Sequence, residues 1–510
     1  MSKREISRRE FVATGAGAAQ VGCNSKQQVA QAVPKAELEQ PQEQKGNGLN
    51  LIVVCVDTWG ANYLGCYGNS WIKTPNVDRF ATKSALFLDA YPETLPTIPA
   101  RRVIYTGRRI FPTQQIVQPD DQVRIRGWHQ LFAEDITFAE MLRKASYTTA
   151  LVSDLYHTFK PNKNFHRGFD CWRWTRGQEA DRWESGPKSK IDVSKYQHRT
   201  QKPPGPLQYL LNRQDWKTDE DWLPARVFTD AMRWLDRNAQ ENQPFYLHVE
   251  SFAPHEYWDP PEHYYRLYMK KDYKGPRLIQ PPLTTKDMSE LEVDHARALY
   301  FGLVTMVDAW VGKFLSKVES LGLMKNSVIV FLADHGTMMG EQGHLHKLET
   351  RLRAQVTRVP LIVCDPRKNY DGRKIRGFVQ HTDVVPSLLQ MLDLKPPKRV
   401  TGESFLPMLA GSRTSGLRDT VITGWGIHAA VRTEEWNYIT RWTPGENFAE
   451  QLYDLRKDPE ELANIVAQNR TMPQEYRKKL NAYIESGRGI TEGTFKTDVP
   501  ESEAPRKRSA

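Results

Sequence analysis

The sequence predicts an α/β protein, a mostly parallel doubly wound sheet carrying a smaller C-terminal α+β subdomain. Three observations lead there. Apolar runs of strand length alternate with segments of helical periodicity from residue 49 to about residue 400, the pattern of repeated strand–helix–strand crossovers. The first of those runs is continuous rather than alternating, as a strand covered on both faces requires. Beyond residue 400 the elements become short. With 510 residues the chain exceeds the ~250–300 at which a single core stops growing, so a large domain is placed at 49–400 and the subdomain at 401–490. Apolar residues at 39% and charged residues at 26% exclude wholesale disorder.

"LNLIVVCVD" opens the fold as a strand, and "DITFAEMLRKAS" follows as a helix, with Thr137 and Glu140 spaced as a capping box. "YTTALVSD" is a strand. "LPARVFTDAMRWLDRNAQ" repeats Val227, Ala231, Trp234 and Leu235 at helical spacing. "PFYLHVES" is a strand, and the segment from His295 to Gly322 is a long helix with Leu299, Leu303, Val307, Trp310 and Phe314 on one side. "NSVIVFLADHG" and "RVPLIVCDP" are strands again. In the subdomain, "AAVRTEEWNYITRW" and "AEQLYDLRKDPEELANI" read as strands and a turn before a helix near 473–486.

The termini read differently. Residues 1–23 place Arg8 and Arg9 before a stretch of small residues, which resembles a twin-arginine export signal and leads to the periplasm or cell envelope. "QVGC" also resembles a lipoprotein cleavage site with Cys23 as the lipid anchor; the plain alternative is a loose basic terminus. Residues 24–48 read as a linker and 491–510 as a polar tail. No later run reaches ~18 uninterrupted apolar residues, so no membrane span is expected. The five cysteines form no CxxC pair, which excludes a disulfide framework and a thiolate metal site; Cys55 and Cys364 read as buried apolar residues. A net charge of +10 is scattered, with no zinc-finger or RNA-binding pattern, so nucleic acid is not the expected partner.

The polar residues that stand out share one location. Asp57, Asp154, His157, His255, Asp334 and His335 all follow apolar strands, and ligands of open parallel sheets bind beyond the carboxyl ends of strands. Singly, each is as well explained as a turn residue or a hydrogen-bonded surface histidine. Jointly, Asp57, Asp334 and His335 supply hard oxygens and one nitrogen, a set that suits calcium or magnesium and admits zinc or manganese. Thr97 stands where a helix begins, with Pro99 in the first turn and Arg101 one turn on. It is a helix cap, or a hydroxyl nucleophile beside a cation, with Arg101 gripping the same anion; both can hold at once.

These segments resemble the sulfatase family, within the alkaline phosphatase superfamily. "VDTWGANYLGCYGNSWIKTPNVDRFATKSALFLDAYP" resembles its opening block, and "LPTIPARRVIYTGR" stands where its C/S-x-P-x-R signature falls. "HVESFAPHEYWDPP", "ADHGTMMGEQGHLHK", "RVPLIVCDP" and "QLYDLRKDPEELANI" are similar to later blocks. The resemblance runs from residue 49 to about 486 and implies an alkaline phosphatase-like fold. It also implies one divalent ion, calcium first, held by Asp57, Asp334 and His335 with Thr97. Thr97 takes the nucleophile position, Arg101 and Lys347 stabilise the anion, and His157 and His255 lie near the leaving group. "RGQEADRW", Arg176 to Trp183, resembles a block of some bacterial relatives and is read as a substrate-pocket element.

Two departures bear on the chemistry. Thr58 stands where many members carry a second aspartate. Thr97 replaces the Cys or Ser that is converted to formylglycine, and its β-carbon methyl group forbids that aldehyde. The expected function is a metal-dependent hydrolase of sulfate or phosphate esters of an anionic substrate, a carbohydrate by preference. The alternatives are a Thr-nucleophile phosphodiesterase or phosphonate ester hydrolase, and a catalytically silent protein that binds anionic glycans.

Overall fold

The computed structural model describes residues 43–113, 125–160, 162–198, 206–241, 243–443, 448–491 and 493. The export signal at 1–23 with Cys23, the linker up to residue 42 and almost all of the 491–510 tail lie outside them. The last linker residues are docked: Gln44 and Lys395 exchange two hydrogen bonds at 3.1 and 2.7 Å.

In chain order the main elements are β1 (Asn50–Val56), β2 (Ala85–Phe87), α1 (Thr97–Thr106), β3 (Thr148–Ser153), β4 (Cys171–Trp174), α2 (Leu223–Asn238), β5 (Phe245–Ser251), α3 (Glu290–Ser320), β6 (Ser327–Ala333), β7 (Leu361–Cys364) and β8 (Lys374–Ile375). The strands form one eight-stranded sheet in the order β8-β2-β7-β6-β1-β5-β3-β4. Five neighbours, β6 to β4, run parallel. β7 reverses against both β6 and β2, because no helical crossover of the usual length joins it to β6. The intervening loop carries site residues and returns on the same side.

Both faces of the sheet are covered, as the uninterrupted apolar strands require. Ile52, Val54 and Val56 belong to one buried cluster with α2 and α3, and Leu51, Val53 and Cys55 to another with Ile98, Ile104 and Tyr105 of α1. α3 starts at a Ser289–Glu292 capping box and is apolar nearly all round. It has the length and mean hydropathy, 1.3, of a membrane span, but 83% of that window is buried in the protein, so it is a core helix.

β9 (Val421–Trp425), β10 (His428–Arg432), β11 (Trp436–Arg441) and β12 (Gln451–Asp454) form an antiparallel ladder, backed by α4 (Thr471–Ser486). A fifth strand, Thr94–Leu95, comes from the other end of the chain and pairs parallel with β9. That pairing fixes the backbone two residues before Thr97.

Candidate active site

Strand register places the first two acidic residues. Val56 pairs with Ala333, so the residues that follow, Asp57 and Asp334, leave neighbouring parallel strands side by side, about 4.8 Å apart by strand spacing. Both are fully buried, as is His335. Oxygens of Asp57 and Asp334 and a ring nitrogen of His335 lie within 4.8 Å of one another. His335 Nδ1 is 2.9 Å from the Gly336 carbonyl, to which it donates, leaving Nε2 as an acceptor with no hydrogen-bond partner; Asp57 Oδ2 has none either. Burial takes the imidazole down to about 3, so the ring is neutral, as a metal ligand must be. Gly336 is required here: a β-carbon would stand 2.2 Å from the Gln355 carbonyl oxygen.

Arg101 reaches into the same place from α1. Its guanidinium contacts Asp334, lies 2.8 Å from Asp57 Oδ2 and donates from Nε to Glu250 at 2.7 Å. Glu250 is a β5 residue paired with Cys55, so it points to the α1 face of the sheet. Ser153 and Tyr105 also donate to it, at 3.0 and 3.5 Å. Three buried carboxylates therefore surround one guanidinium. Burying an ion costs several kcal/mol unless it is paired, and here one carboxylate's worth of charge or more is left over. Burial, reinforced by Asp57, pushes Asp334 up despite Arg101. Burial also resists ionisation of Asp57, but Arg101 and His255 hold its carboxyl down. The pair titrates as a unit, and a divalent cation among Asp57, Asp334 and His335 would balance it. The donor set and the unpartnered Nε2 of His335 fit such an ion. Cys55, His248 and Glu250 form a second cluster below, but Arg101 already occupies its carboxylate.

Thr97 is not the cap that its position in the sequence suggests. Pro96 is the N-cap and makes no side-chain cap bond; Thr97 is the first helical residue. Pro99 falls in the first turn, where its missing N–H has no helical partner to lose, and Gly107 ends the helix at φ 62°. Four residues apart, Thr97 and Arg101 share one face of α1, with ~6 Å of rise between them. Thr97 is 2% exposed. Thr58, at the position of the absent aspartate, donates its hydroxyl to Asp57 and its N–H to Asp334.

The other predicted residues meet across from this group. His157 Nε2 is 3.1 Å from Glu179, and His255 Nδ1 is 3.8 Å from Glu179 and 3.0 Å from Glu256. Glu256, 3% exposed, also contacts His346 and lies 3.2 Å from Lys347 Nζ, which reaches Thr58 Oγ1 at 3.5 Å. Burial opposes the charge on His255, but Glu256 outweighs it and raises the imidazole above its ordinary value. Burial likewise opposes ionised Glu256, which His255, Lys347 and His346 hold well below the carboxylate range.

Asp154 is not part of either charge cluster. It accepts from Gln178 at 2.7 Å and from the Phe252 N–H at 2.6 Å, and so braces the loop that carries Glu179. The Arg176–Trp183 segment is folded by its own ion pair, Arg176 to both oxygens of Asp181 at 2.7 and 2.6 Å. That pairing presents Glu179, at φ 42°. Thr58 (φ 63°) and His346 (φ 65°) are also held in the left-handed region, and such strain gathers at functional sites.

Sequence reasoning missed Glu179 as a partner of the histidines, and Glu250 and Glu256 altogether. Glu250 had a signal: a charged residue within an otherwise apolar strand is costly unless it is paired. Glu256 adjoins His255, but its other partners are 90 and 91 residues away.

Residues 49–394 match the family described as Sulfatase, and residues 340–488 the one described as N-sulphoglucosamine sulphohydrolase, C-terminal. An arylsulfatase of Clostridium perfringens is 25% identical over 485 residues, covering 85% of this chain and 92% of its own. An N-acetylglucosamine-6-O-sulfatase of Bacteroides thetaiotaomicron is 23% identical, covering 88% and 87%. In fold, the chain is similar to the phosphonate monoester hydrolase of Agrobacterium radiobacter, with a TM-score of 0.66, 21% identity, and 87% and 96% of the two chains covered.

Proposed function

The chain belongs to the sulfatase family of sulfuric ester hydrolases, and from that membership we propose that it cleaves sulfate esters of an anionic carbohydrate with Thr97 as nucleophile. One observation carries the reading: the helix that starts at Thr97 sends Arg101, one turn later, into the carboxylates of Asp57 and Asp334. The carbohydrate preference is supported by relatives such as the N-acetylglucosamine-6-O-sulfatase.

Asp57, Asp334 and His335 would hold the divalent ion, calcium by its preference for carboxylate oxygens, and the ion when bound polarises ester oxygens and acidifies a neighbouring hydroxyl. Thr97, its acidified hydroxyl proton already lost to water, attacks the sulfur through Oγ1 in line with the departing oxygen. Arg101 and Lys347 offset charge on the equatorial oxygens. His255 uses Nδ1 on the carbonyl and carboxylate of Glu256, so Nε2 gives its proton to the departing oxygen. The threonine sulfate that results has no aldehyde to collapse to. Water must attack the sulfur: His255, now neutral, takes its proton, the bond to Thr97 Oγ1 breaks, and sulfate leaves with the Thr97 alkoxide restored.

Mass spectrometry of the Thr97 peptide, quenched during turnover of an aryl sulfate, tests this. A sulfated Thr97 is the expected product. Unmodified Thr97 with no turnover overturns the proposal and supports a silent glycan-binding protein. A second reading has an observation of its own. Without an aldehyde, threonine suits phosphorus chemistry, so an aryl phosphonate and a phosphate diester belong in the same experiment. A Thr97 adduct from these alone selects that reading.

A further inference from the structure

A cavity of about 690 Å³ opens beside the site and takes no part in the chemistry above. We propose that it binds a further, anionic sugar unit of the same substrate chain; this rests on the carbohydrate-ester reading.

Its place in the fold comes first. α3 runs back against the parallel strands between β5 and β6, so its first turns lie at the rim where Asp57 and Asp334 emerge. Asp294, Arg297 and Phe301, from those turns, line the cavity with Met339 and Glu341. Met339 belongs to the short hairpin Met338–Met339/Leu345–His346, and Lys347 follows it directly. Arg297 Nε donates to the Met339 carbonyl at 2.6 Å. On the inner side, Tyr300, next to Phe301, donates to the Thr58 carbonyl at 2.8 Å. The hairpin and helix that line the cavity are thus the ones that carry Lys347 and brace Thr58, the placement expected of an adjoining subsite.

Its lining fits a sugar. The volume falls in the ~300–1,000 Å³ range of small-molecule sites. Trp71 is held by edge contacts from Phe301, Tyr63 and Tyr268, at 4.7, 6.3 and 6.4 Å between ring centres. It is nevertheless 48% exposed. A fixed indole left half uncovered is a stacking platform with one position empty. Charge selects among sugars. Lys73 and Lys270 line the cavity, and neither has an ion-pair partner among the described residues. With Arg297 they face two carboxylates: Asp294 lies 3.6 Å from Arg297, and Glu341 accepts from Tyr63 and the Met339 N–H, so three cations stand against two anions. The uncompensated charge is cationic, so the matching unit carries sulfate or carboxylate.

The Thr97→Ala chain, which binds without turnover, is titrated with sulfated tetrasaccharides from heparin, chondroitin sulfate, carrageenan and ulvan, and with desulfated counterparts, by indole fluorescence. At least one sulfated tetrasaccharide is expected to bind and its desulfated counterpart to fail. Adding Trp71→Ala should weaken binding about tenfold, as loss of one stacking contact predicts, and Lys270→Gln by less. With Thr97 present, Trp71→Ala should lower kcat/KM for the tetrasaccharide and leave that for an aryl sulfate unchanged. Equal affinity in the Trp71→Ala chain, or binding of none of the four, overturns the subsite. Aryl sulfate cleavage without tetrasaccharide binding rejects the cavity and keeps the Thr97 chemistry. Binding that depends on Trp71, without ester cleavage, does the reverse.

Discussion

Around Arg101, Asp57, Asp334 and Glu250 outnumber the one guanidinium, and all four side chains are fully buried. Around Glu179 and Glu256 basic side chains gather instead: His157, His255, His346 and Lys347 face two carboxylates. The two regions adjoin at Thr58, which is bonded to Asp57 on one side and approached by Lys347 on the other. The first is short of a cation, and the second presents basic side chains. A divalent ion would complete the one, and a sulfate ester would meet the other. The asymmetry also sorts the aspartates and glutamates: those of the first region are candidate ligands or hold Arg101, and those of the second orient histidines and favour the charged form of His255.

The largest effect should come from the residue that belongs to neither cluster. Thr97→Ala removes the attacking oxygen and leaves both charge balances intact, so kcat should fall by ~10⁴-fold or more, while metal content measured by plasma mass spectrometry stays at that of the parent. Loss of metal from this variant would place Thr97 among the ligands, as the sequence reading allows. Next comes the cation-deficient side. Asp334→Asn keeps the shape and removes one charge. Metal content should drop from about one ion per chain towards none, with kcat falling ~10²–10³-fold. Chelation of the parent should reproduce the loss, and readdition of calcium should restore it. Activity indifferent to chelation would show that Arg101 alone satisfies these carboxylates.

Much of this was legible in the sequence, and the division is physical. Asp57, Asp334 and His335 could be brought together because a parallel sheet delivers its strand ends to one rim whatever their separation in the chain. Thr97 and Arg101 could be placed on one face because helical spacing is local. Periodicity is blind to direction, so nothing marked β7 as reversed. A two-residue strand has no periodicity at all, and the pairing of Thr94–Leu95 with β9 could not be seen. The anionic partners of the histidines were hidden for another reason. Glu179 and Glu256 act through contacts that depend on the fold of their own loops, the Arg176–Asp181 pair above all.

The histidine side should respond through pH. Glu256 is the main influence raising His255, so the parent should keep its general acid protonated above the ordinary imidazole range. Its kcat should then decline only as pH rises through that elevated value. Glu256→Gln withdraws the support: the basic limb should move to lower pH, and kcat near neutrality should fall roughly tenfold, part of the ~10²–10⁴ that general acid catalysis supplies. An unmoved limb would assign the proton to another group.

Glu179→Gln should be the mildest change. Its carboxylate is 16% exposed and 3.1 Å from His157 but 3.8 Å from His255, so it makes one strong contact and one weak one. Gln keeps the shape and can still hydrogen-bond to His157, but the charge is lost. A charge-assisted bond is about twice as strong as a neutral one, and the difference of roughly 1 kcal/mol corresponds to a fivefold loss. The loss should fall on kcat/KM for substrates with a poor leaving group, because only these need a well-placed proton. An aryl sulfate, whose phenolate departs unaided, should hardly register it. Equal losses on both substrates would mean that Glu179 holds the loop rather than the histidines, and the balance drawn for this side would then rest on Glu256 alone.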